Sequence, residues 1–263
     1  MAQPAFSNLI VTYNSALELP GLLGDLGSHA SNSRVLVIDN ASTDGTADPV
    51  QRQYPGVQLI RNAINVGYAT AVNQGFGLLN TEYVFLLNPD IRIDSPRVFQ
   101  DLQYCLDSQP GVAVAGPLQF KQSGRNRHLN FTWSYWTPRA FRIYLSYLFT
   151  GQAPALPPIR VTFLNAGCLF IRRSAFKAVG GLNEKYFLYG EEPDLFLKLK
   201  RHSFESWLLP GVSVFHGRER SLATVPSAQR LRFKLQGAFN ILDALARGSA
   251  GLMLDRISRR RPD

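Results

Sequence analysis

Apolar runs of strand length alternate with amphipathic stretches of helix length through the first 110 residues, and this alternation narrows the folds open to the 263-residue chain more than any other feature. "FSNLIVTYN" reads as a strand, "ALELPGLLGDLGSH" as a short amphipathic helix, and "SRVLVIDNASTDGT" as a second strand running into a turn cluster. "GTADPVQRQYP" then reads as a helix, "VQLIRN" as a short strand, "GYATAVNQGFGLL" as a helix and "EYVFLLNPD" as a central strand. In "SPRVFQDLQYCLDSQP" Ser95 is available as N-cap, Pro96 suits the first helical position, and Pro110 lies past the end. This β-α order predicts an α/β fold with a mainly parallel sheet flanked by helices, because parallel strands need crossovers that cover both faces.

The strand ends share a chemistry. Three apolar runs finish in "TYN" (Thr12 to Asn14), "DNASTD" (Asp39 to Asp44) and "NPD" (Asn88 to Asp90). Each is open to a plain reading as a turn, since proline presets φ and Asn or Asp tolerates turn geometry. Together, on the carboxyl edge of one sheet, they form a candidate site, because open α/β sheets place ligands there. A carboxylate held at that edge must be paired or must bind a cation or a hydroxyl, an isolated buried charge being costly. Asp39 can accept hydrogen bonds from a base or ribose, and Asp90 can hold a divalent metal that bridges phosphates.

Charge is distributed unevenly. Residues 1–110 carry 5 Lys+Arg against 10 Asp+Glu, and residues 111–263 carry 23 against 9, so the net +9 arises from −5 and +14. A carboxylate-built ligand region followed by a basic face for an anionic partner fits this split. The two cysteines, Cys105 and Cys168, have no metal-site spacing and point to a reducing compartment. No signal-peptide pattern opens the sequence, and no apolar run approaches the roughly 18 residues that span a bilayer. The expectation is a cytoplasmic protein, with the cytoplasmic face of the inner membrane as a place of work.

"VTYN", "VIDNASTDGT", "RNAINVGYATAVNQG" and "FLLNPD", followed by "FLNAGCLFIRRSAF" and "YFLYGEEPDLFLKLKR", resemble in order and spacing the bacterial family 2 glycosyltransferases, in particular the rhamnosyltransferase-like group. The resemblance implies a GT-A fold, a nucleotide-sugar donor, a divalent cation (Mg2+ or Mn2+) and inversion at the anomeric carbon. It implies a place near the nucleotide for Thr12, Tyr13, Asn14, Asp39 and Asp44, and near base and phosphates for Asn65, Gly67 and Asn73, the glycine permitting close backbone approach. A loop leading into an ordinary helix start is the plain alternative for that last element. Asp90 matches the last acid of the family's metal-binding DxD, whose first acid is here Asn88. One carboxylate suffices for Mg2+, which keeps waters and takes substrate phosphates as ligands.

In "YGEEPDLFLKLKR" the acids suit the dipole of a proline-initiated helix. The resemblance instead makes Glu192 the base that takes the acceptor's proton, with Glu191 as alternative and Asp194 on the acceptor side. Relatives usually carry aspartate at the position of Glu192, and the longer side chain moves the carboxylate by one methylene. A histidine after a strand is commonly structural, yet the resemblance gives His216 a part in holding metal or diphosphate, with Arg218 compensating leaving-group charge and "GRERSLATVPS" closing as a lid. Asn165 and Gly167 either line the acceptor side or form a tight turn.

The sequence divides into a catalytic domain over 1–217, its 1–110 part binding nucleotide and its 111–217 part binding acceptor, and a basic helical C-terminal extension over 218–263. Aromatic and basic residues in "HLNFTWSYWTPRAFRIYLSYLF" and in the extension suit either a membrane interface with anionic lipid or packing and solvation. The expected activity is transfer of a sugar, dTDP-rhamnose or another nucleotide sugar being the donor, to a saccharide or lipid-linked hydroxyl in cell-surface polysaccharide synthesis. A sugar nucleotidyltransferase is the second enzymatic reading, and it lacks a glycine-rich basic loop after the first strand. A nucleic-acid-binding protein would suit the charge but leave the acidic strand ends without a purpose, so no nucleic-acid partner is expected.

Overall fold

The computed structural model describes residue 4, residues 6–123, 126–129, 138–150 and 156–217, and positions 231, 232, 235, 236, 238 and 242. Arg218 and nearly all of the expected lid fall outside the described residues, as does most of the 218–263 extension. In order the elements are β1 (Phe6–Thr12), α1 (Leu19–His29), β2 (Arg34–Asp39), α2 (Ala47–Gln53), β3 (Val57–Arg61), α3 (Tyr68–Leu78), β4 (Tyr83–Leu87), β5 (Ile91–Arg92) and α4 (Arg97–Ser108). They continue as β6 (Val112–Ser123), β7 (Asn126–Leu129), α5 (Pro138–Thr150), β8 (Ile159–Val161), β9 (Cys168–Arg172), α6 (Arg173–Ala178), α7 (Glu191–Arg201) and β10 (Glu205–His216).

The strands form one ten-stranded sheet in the order β3-β2-β1-β4-β9-β6-β10-β5, with β7 on β6 and β8 on β10. β1 to β4 are mutually parallel, and β6 and β10 point the same way, because β9 runs antiparallel to both β4 and β6. The mixed sheet therefore keeps a common carboxyl edge for its longest strands. From β1 the chain winds outward to β2 and β3, then returns to place β4 on the other side of β1. The strand order reverses between β1 and β4, and open α/β sheets form their binding crevice at such a switch point.

Alternate residues of each strand feed two apolar layers. Leu9, Leu36, Val84 and Leu86 pack with Val72 and Phe76 of α3, Phe176 of α6 and Phe196 of α7 on one face. Ile10, Val37, Phe85 and Leu87 pack with Leu22 and Leu26 of α1, Val50 of α2 and Phe99 and Leu102 of α4 on the other. Continuous apolar runs such as "YVFLL" follow from a strand covered on both faces, and every residue of β4 is buried. α4 begins at Arg97, with Pro96 as the residue before it, and Ser95 Oγ accepts a hydrogen bond from the Arg97 N–H at 3.3 Å. The helix thus starts one residue later than expected, with Pro96 just before it, while Ser95 still takes the Arg97 N–H as a capping side chain would. Both cysteines are buried free thiols, and burial pushes Cys105 up to about 11.

Candidate active site

β2, β1 and β4 end side by side at the carboxyl edge, antiparallel β9 begins there, since Leu87 pairs with Cys168, and β10 ends at the same edge beyond β9 and β6. The edge thereby collects Thr12 to Asn14, Asp39 and Asn40, Asn88 to Asp90, Gly167 and His216. Among the described residues, three of the four non-glycine residues with positive φ, namely Asn14 (φ 50°), Ala41 (φ 66°) and Tyr189 (φ 68°), lie in loops at this edge or directly before α7. Such backbone persists only where surrounding structure fixes it, and it clusters at functional sites.

The loops after β1 and β2 brace one another. Asn14 receives the Thr43 N–H on Oδ1 at 2.9 Å, and its own N–H donates to Ser42 Oγ at 2.9 Å. Asp44 accepts from the Ala16 N–H and the Thr46 N–H, each at 3.0 Å, and from the Thr46 hydroxyl. Although burial raises its proton affinity, these bonds outweigh that effect and hold the Asp44 carboxyl below its ordinary value. The Asp44 carboxylate is therefore a clamp between loops, in place of the expected donor contact. Thr12 is 1% exposed, and its carbonyl accepts the Asn40 N–H at 2.8 Å, so it shapes the strand end from inside. Tyr13 stands half-buried beside it.

Asp39 is 1% exposed; it accepts the Ser42 N–H at 3.2 Å, and its other oxygen lies 3.8 Å from Arg61 Nε. A buried carboxylate facing one exposed guanidinium can take a ligand donor in exchange. Next to it, Asn40 is the centre of an amide network that the sequence pattern did not disclose. Its Oδ1 accepts from Asn62 Nδ2 and the Val66 N–H, each at 3.1 Å, and its Nδ2 donates to Asn65 Oδ1 at 2.8 Å. Asn65 Oδ1 also takes the Gly67 N–H at 3.0 Å. The expected donor-binding Asn65 is thus spent on holding the β3–α3 loop.

Gly67, at φ 86°, does permit a close approach, but the neighbour is the chain itself. A Cβ there would stand 2.9 Å from Phe187 O, and the adjacent Tyr68 N–H bonds that same carbonyl at 3.0 Å. The "NxGxxxxxN" element therefore docks the segment that leads into α7. Asn73 completes this docking: its Nδ2 donates to Leu182 O and Glu184 Oε1, each at 2.9 Å, and its Oδ1 takes the Leu182 N–H at 2.9 Å. Its amide is committed to that turn and not to a phosphate.

The segment so docked delivers the acidic cluster. Gly190, at φ 100°, precedes α7, which starts at Glu191, so Pro193 is its third residue and not its first. Proline is tolerated there because the N–H groups of a first turn have no helical partner anyway. Glu191 is 3% exposed, one of its carboxylate oxygens has no hydrogen-bond partner among the described residues, and burial pushes its carboxyl up to about 7. Glu192 is half-buried. The Tyr68 hydroxyl is also buried without a hydrogen bond, and burial together with the charges of Glu192 and Glu191 raises it well above the ordinary phenol value. Asp194 is 6% exposed and lies 3.5 Å from Lys198 Nζ, whose ammonium also bonds Gly181 O. It braces α7 instead of lining the acceptor side.

Glu191 makes a pH test possible. A carboxyl raised in the folded state favours folding fully below its unfolded value of 4.5 and loses that contribution as pH rises through about 7. Glu191→Gln is therefore expected to stabilise the protein at pH 8, by a few kcal/mol at most, and to leave stability unchanged near pH 4. Denaturant unfolding at the two pH values measures this. Equal effects at both would show that the carboxyl is not raised.

At the far side of the edge, His216 Nε2 stands 3.3 Å from Asp90 Oδ1 and 3.5 Å from Asn88 Nδ2, while Nδ1 lies 2.9 Å from Gln119 Oε1. Asp90 and His216 side chains are 11% and 8% exposed. The Asn88 N–H bonds Gly167 O at 2.9 Å and the Gly217 N–H bonds Asp90 O at 2.8 Å, so main-chain bonds hold β4, β9 and β10 in register around the pair. Asn165 and Gly167, expected on the acceptor side, build the seat of His216: a Cβ on Gly167 would lie 2.3 Å from His216 Cε1, and Asn165 O accepts from Gln119 Nε2 at 2.8 Å. Among the described residues no cluster of three or more His, Cys, Asp or Glu side chains could hold a metal by itself. An imidazole and a carboxylate oxygen do fit Mn2+ or Mg2+ when substrate phosphates and water supply the other ligands. Gln119 and Asn40 escaped sequence reasoning, and the one signal available was an amide interrupting or ending an apolar run.

The sequence profile described as "Glycosyl transferase family 2" matches residues 7–180. The chain is 29% identical over 248 residues to the N-acetylglucosaminyl-diphospho-decaprenol L-rhamnosyltransferase of Mycobacterium tuberculosis, covering 83% of this chain and 78% of that protein. It is 24% identical over 221 residues to a low-salt glycan biosynthesis hexosyltransferase of Haloferax volcanii, covering 81% and 67%. Among solved structures, GalNAc-T7 with UDP, GalNAc and Mn2+ superposes with a TM-score of 0.66 at 16% identity, covering 81% of this chain and 43% of that one. The mannosyltransferase PcManGT from Pyrobaculum calidifontis, in complex with GDP-Man and Mn2+, superposes at 0.61 and 18% identity, covering 82% and 57%. The chain thus spans about half the length of these structures, and they share its fold, the GT-A type.

Proposed function

Since the chain belongs to glycosyl transferase family 2, we propose that it transfers a sugar from a nucleotide-diphosphate donor to a hydroxyl of a lipid-linked saccharide, with inversion and with help from a divalent cation. Glycosyl transfer from a nucleotide sugar follows from the family. The finer terms rest on the pairing of Asp90 and His216 at the ends of β4 and β10, at the same sheet edge as the β1/β4 switch point and buried Asp39. This observation carries the reading.

Asp90 and His216 would hold the cation, which when bound draws charge from the departing diphosphate. Asp39 would meet the nucleoside in exchange for Arg61, and Tyr13 would flank it. Glu192, at the second position of α7 and half-buried, would take the proton of the acceptor hydroxyl, while Glu191 is buried. One base and no nucleophile is the arrangement direct inversion requires. We assign donor handling chiefly to residues 1–110 and acceptor handling to 111–217, with His216 bringing the second part into the metal pair.

The mycobacterial relative's name supports L-rhamnose as the sugar and a polyprenyl diphosphate-linked N-acetylglucosamine as the acceptor. Membrane contact gains support from the extension: Leu231, Leu235 and Leu242 are helical and exposed, and their spacing puts them within one face of a helix. No helix of the described residues is long and apolar enough to cross a membrane. Contact of this kind would lie in the interface.

A thermal-shift panel of UDP-, dTDP- and GDP-sugars, each with Mg2+, Mn2+ or EDTA, tests the proposal, because a ligand that binds only the folded state raises the melting temperature. We expect the largest shift with a dTDP-sugar and cation, abolished by EDTA and by Asp90→Asn. A shift of equal size in EDTA would remove the cation from the reading.

A further inference from the structure

We infer that Gln119 is a positioning residue that selects the tautomer of His216. The inference rests on the proposal that His216 and Asp90 hold the cation. Gln119 sits in the middle of β6, 1% exposed, opposite Val214 of β10 and so beside the strand that ends in His216. Its side-chain amide spans two partners, Asn165 O at 2.8 Å and His216 Nδ1 at 2.9 Å.

Only one orientation of that amide is tenable. A main-chain carbonyl can only accept, so the NH2 group must face Asn165 and the oxygen must face His216. The oxygen in turn can only accept, so Nδ1 must carry the hydrogen. Asn165 is itself fixed, because its Oδ1 takes the Gly167 N–H at 3.2 Å and closes a turn. Gly167 completes the cage, its bare Cα leaving the space that the ring and Gln119 Oε1 fill. A buried strand glutamine thus decides what the opposite ring nitrogen offers.

With hydrogen on Nδ1, a neutral imidazole presents its Nε2 lone pair to Asp90 Oδ1 at 3.3 Å. In that form two electron-rich atoms face one another 3.3 Å apart, a pair that a proton or a cation between them relieves, with Asn88 Nδ2 3.5 Å from Nε2. The ring with hydrogen on Nδ1 alone is the form that can ligate a cation here. The alternative tautomer, with hydrogen on Nε2, would bond Asp90 directly and close the position. Partners of this kind orient ligating histidines and typically change metal affinity by about 10- to 100-fold.

Three proteins decide the matter: the wild type, Gln119→Met, which keeps the bulk and loses the acceptor, and Gln119→Glu, which keeps an acceptor for Nδ1–H and loses the donor to Asn165. The readouts are 15N chemical shifts of the His216 ring without metal, assigned against His216→Ala, and the dissociation constant for Mn2+ alone. We expect hydrogen on Nδ1 in the wild type, movement toward Nε2 in Gln119→Met with at least tenfold weaker Mn2+ binding, and near-wild-type behaviour in Gln119→Glu. Residues that merely fill space would give the opposite order, Gln119→Met binding Mn2+ as the wild type does and Gln119→Glu failing, and that result overturns the inference. If Gln119→Met does not fold, as judged by its melting transition, a folded Gln119→Glu with tenfold weaker Mn2+ binding overturns it alone. A wild type that holds hydrogen on Nδ1, loses it in Gln119→Met, and never binds Mn2+ supports the positioning role while removing the cation from the proposed function.

Discussion

Glu192→Gln is expected to lower kcat by about two to four orders of magnitude while leaving the cation-dependent thermal shift with donor unchanged. The amide keeps the size of the side chain and its place at the start of α7 but cannot take a proton. In the proposed reading donor and cation bind at the ends of β1, β2, β4 and β10, and Glu192 stands apart from these at the second position of α7. Glu192→Asp, which places there the residue that the family resemblance implies, is expected to retain part of the rate, since retraction by one methylene costs position and not chemistry. Glu191→Gln is the control. Its carboxyl is buried and raised to about 7, a value well matched to a general base. Should Glu191→Gln abolish turnover while Glu192→Gln leaves it intact, the base is Glu191 and Glu192 serves the acceptor.

Gly167→Ala is expected to have the second large effect, at a position that touches no substrate in the proposed reading. The added methyl would meet His216 Cε1 at 2.3 Å, Nδ1 at 2.5 Å and Gln119 Oε1 at 2.9 Å. Neither partner can yield cheaply, because the ring is buried and the amide is bonded at both ends. The imidazole must leave its seat, so Mn2+ affinity should fall at least tenfold and transfer by about 100-fold or more. Donor binding without cation should change little. Titration with Mn2+ and initial rates at saturating donor measure both quantities. Unaltered Mn2+ affinity in Gly167→Ala would mean that His216 is not a ligand.

Much of this was legible beforehand, and the failures have physical causes. The alternation through the first 110 residues gave β1 to α4 because helix and strand periods differ and the turn residues between them are distinctive. β9 was visible as an apolar run, "CLFIR", but its reversed direction was not, since a strand buried on both faces has the same pattern either way. Acidic strand ends pointed to the carboxyl edge, where Asp39 and Asp90 stand. That Asp44 clamps two loops was not legible, because a carboxylate that braces loops and one that awaits a ligand are the same letter. The glycine of "NxGxxxxxN" was rightly read as a point of close approach, yet only the coordinates reveal that Phe187 makes it. The networks in which Asn73, Asn165 and Asp194 lie were not legible, because residue type alone does not name a partner distant in sequence. Gln119 was invisible for a related reason: an amide in a strand announces neither its partners nor which of its ends faces them.

The same geometry bears on how the chain reaches its native state. Asp90 and His216 stand 126 positions apart, and β10, which carries the histidine, joins the sheet through β6, with β8 and β5 along its other edge. Pairing partners so distant in sequence is slow, and the entropy of closing the intervening chain is lost before any ligand can be gripped. A divalent ion held as proposed would have nothing to bind until the last described strand is seated. Its contribution would enter after that slow search, so it would slow unfolding without hastening folding. Such an ion would act as a lock on a finished sheet and not as the nucleus around which the sheet is built.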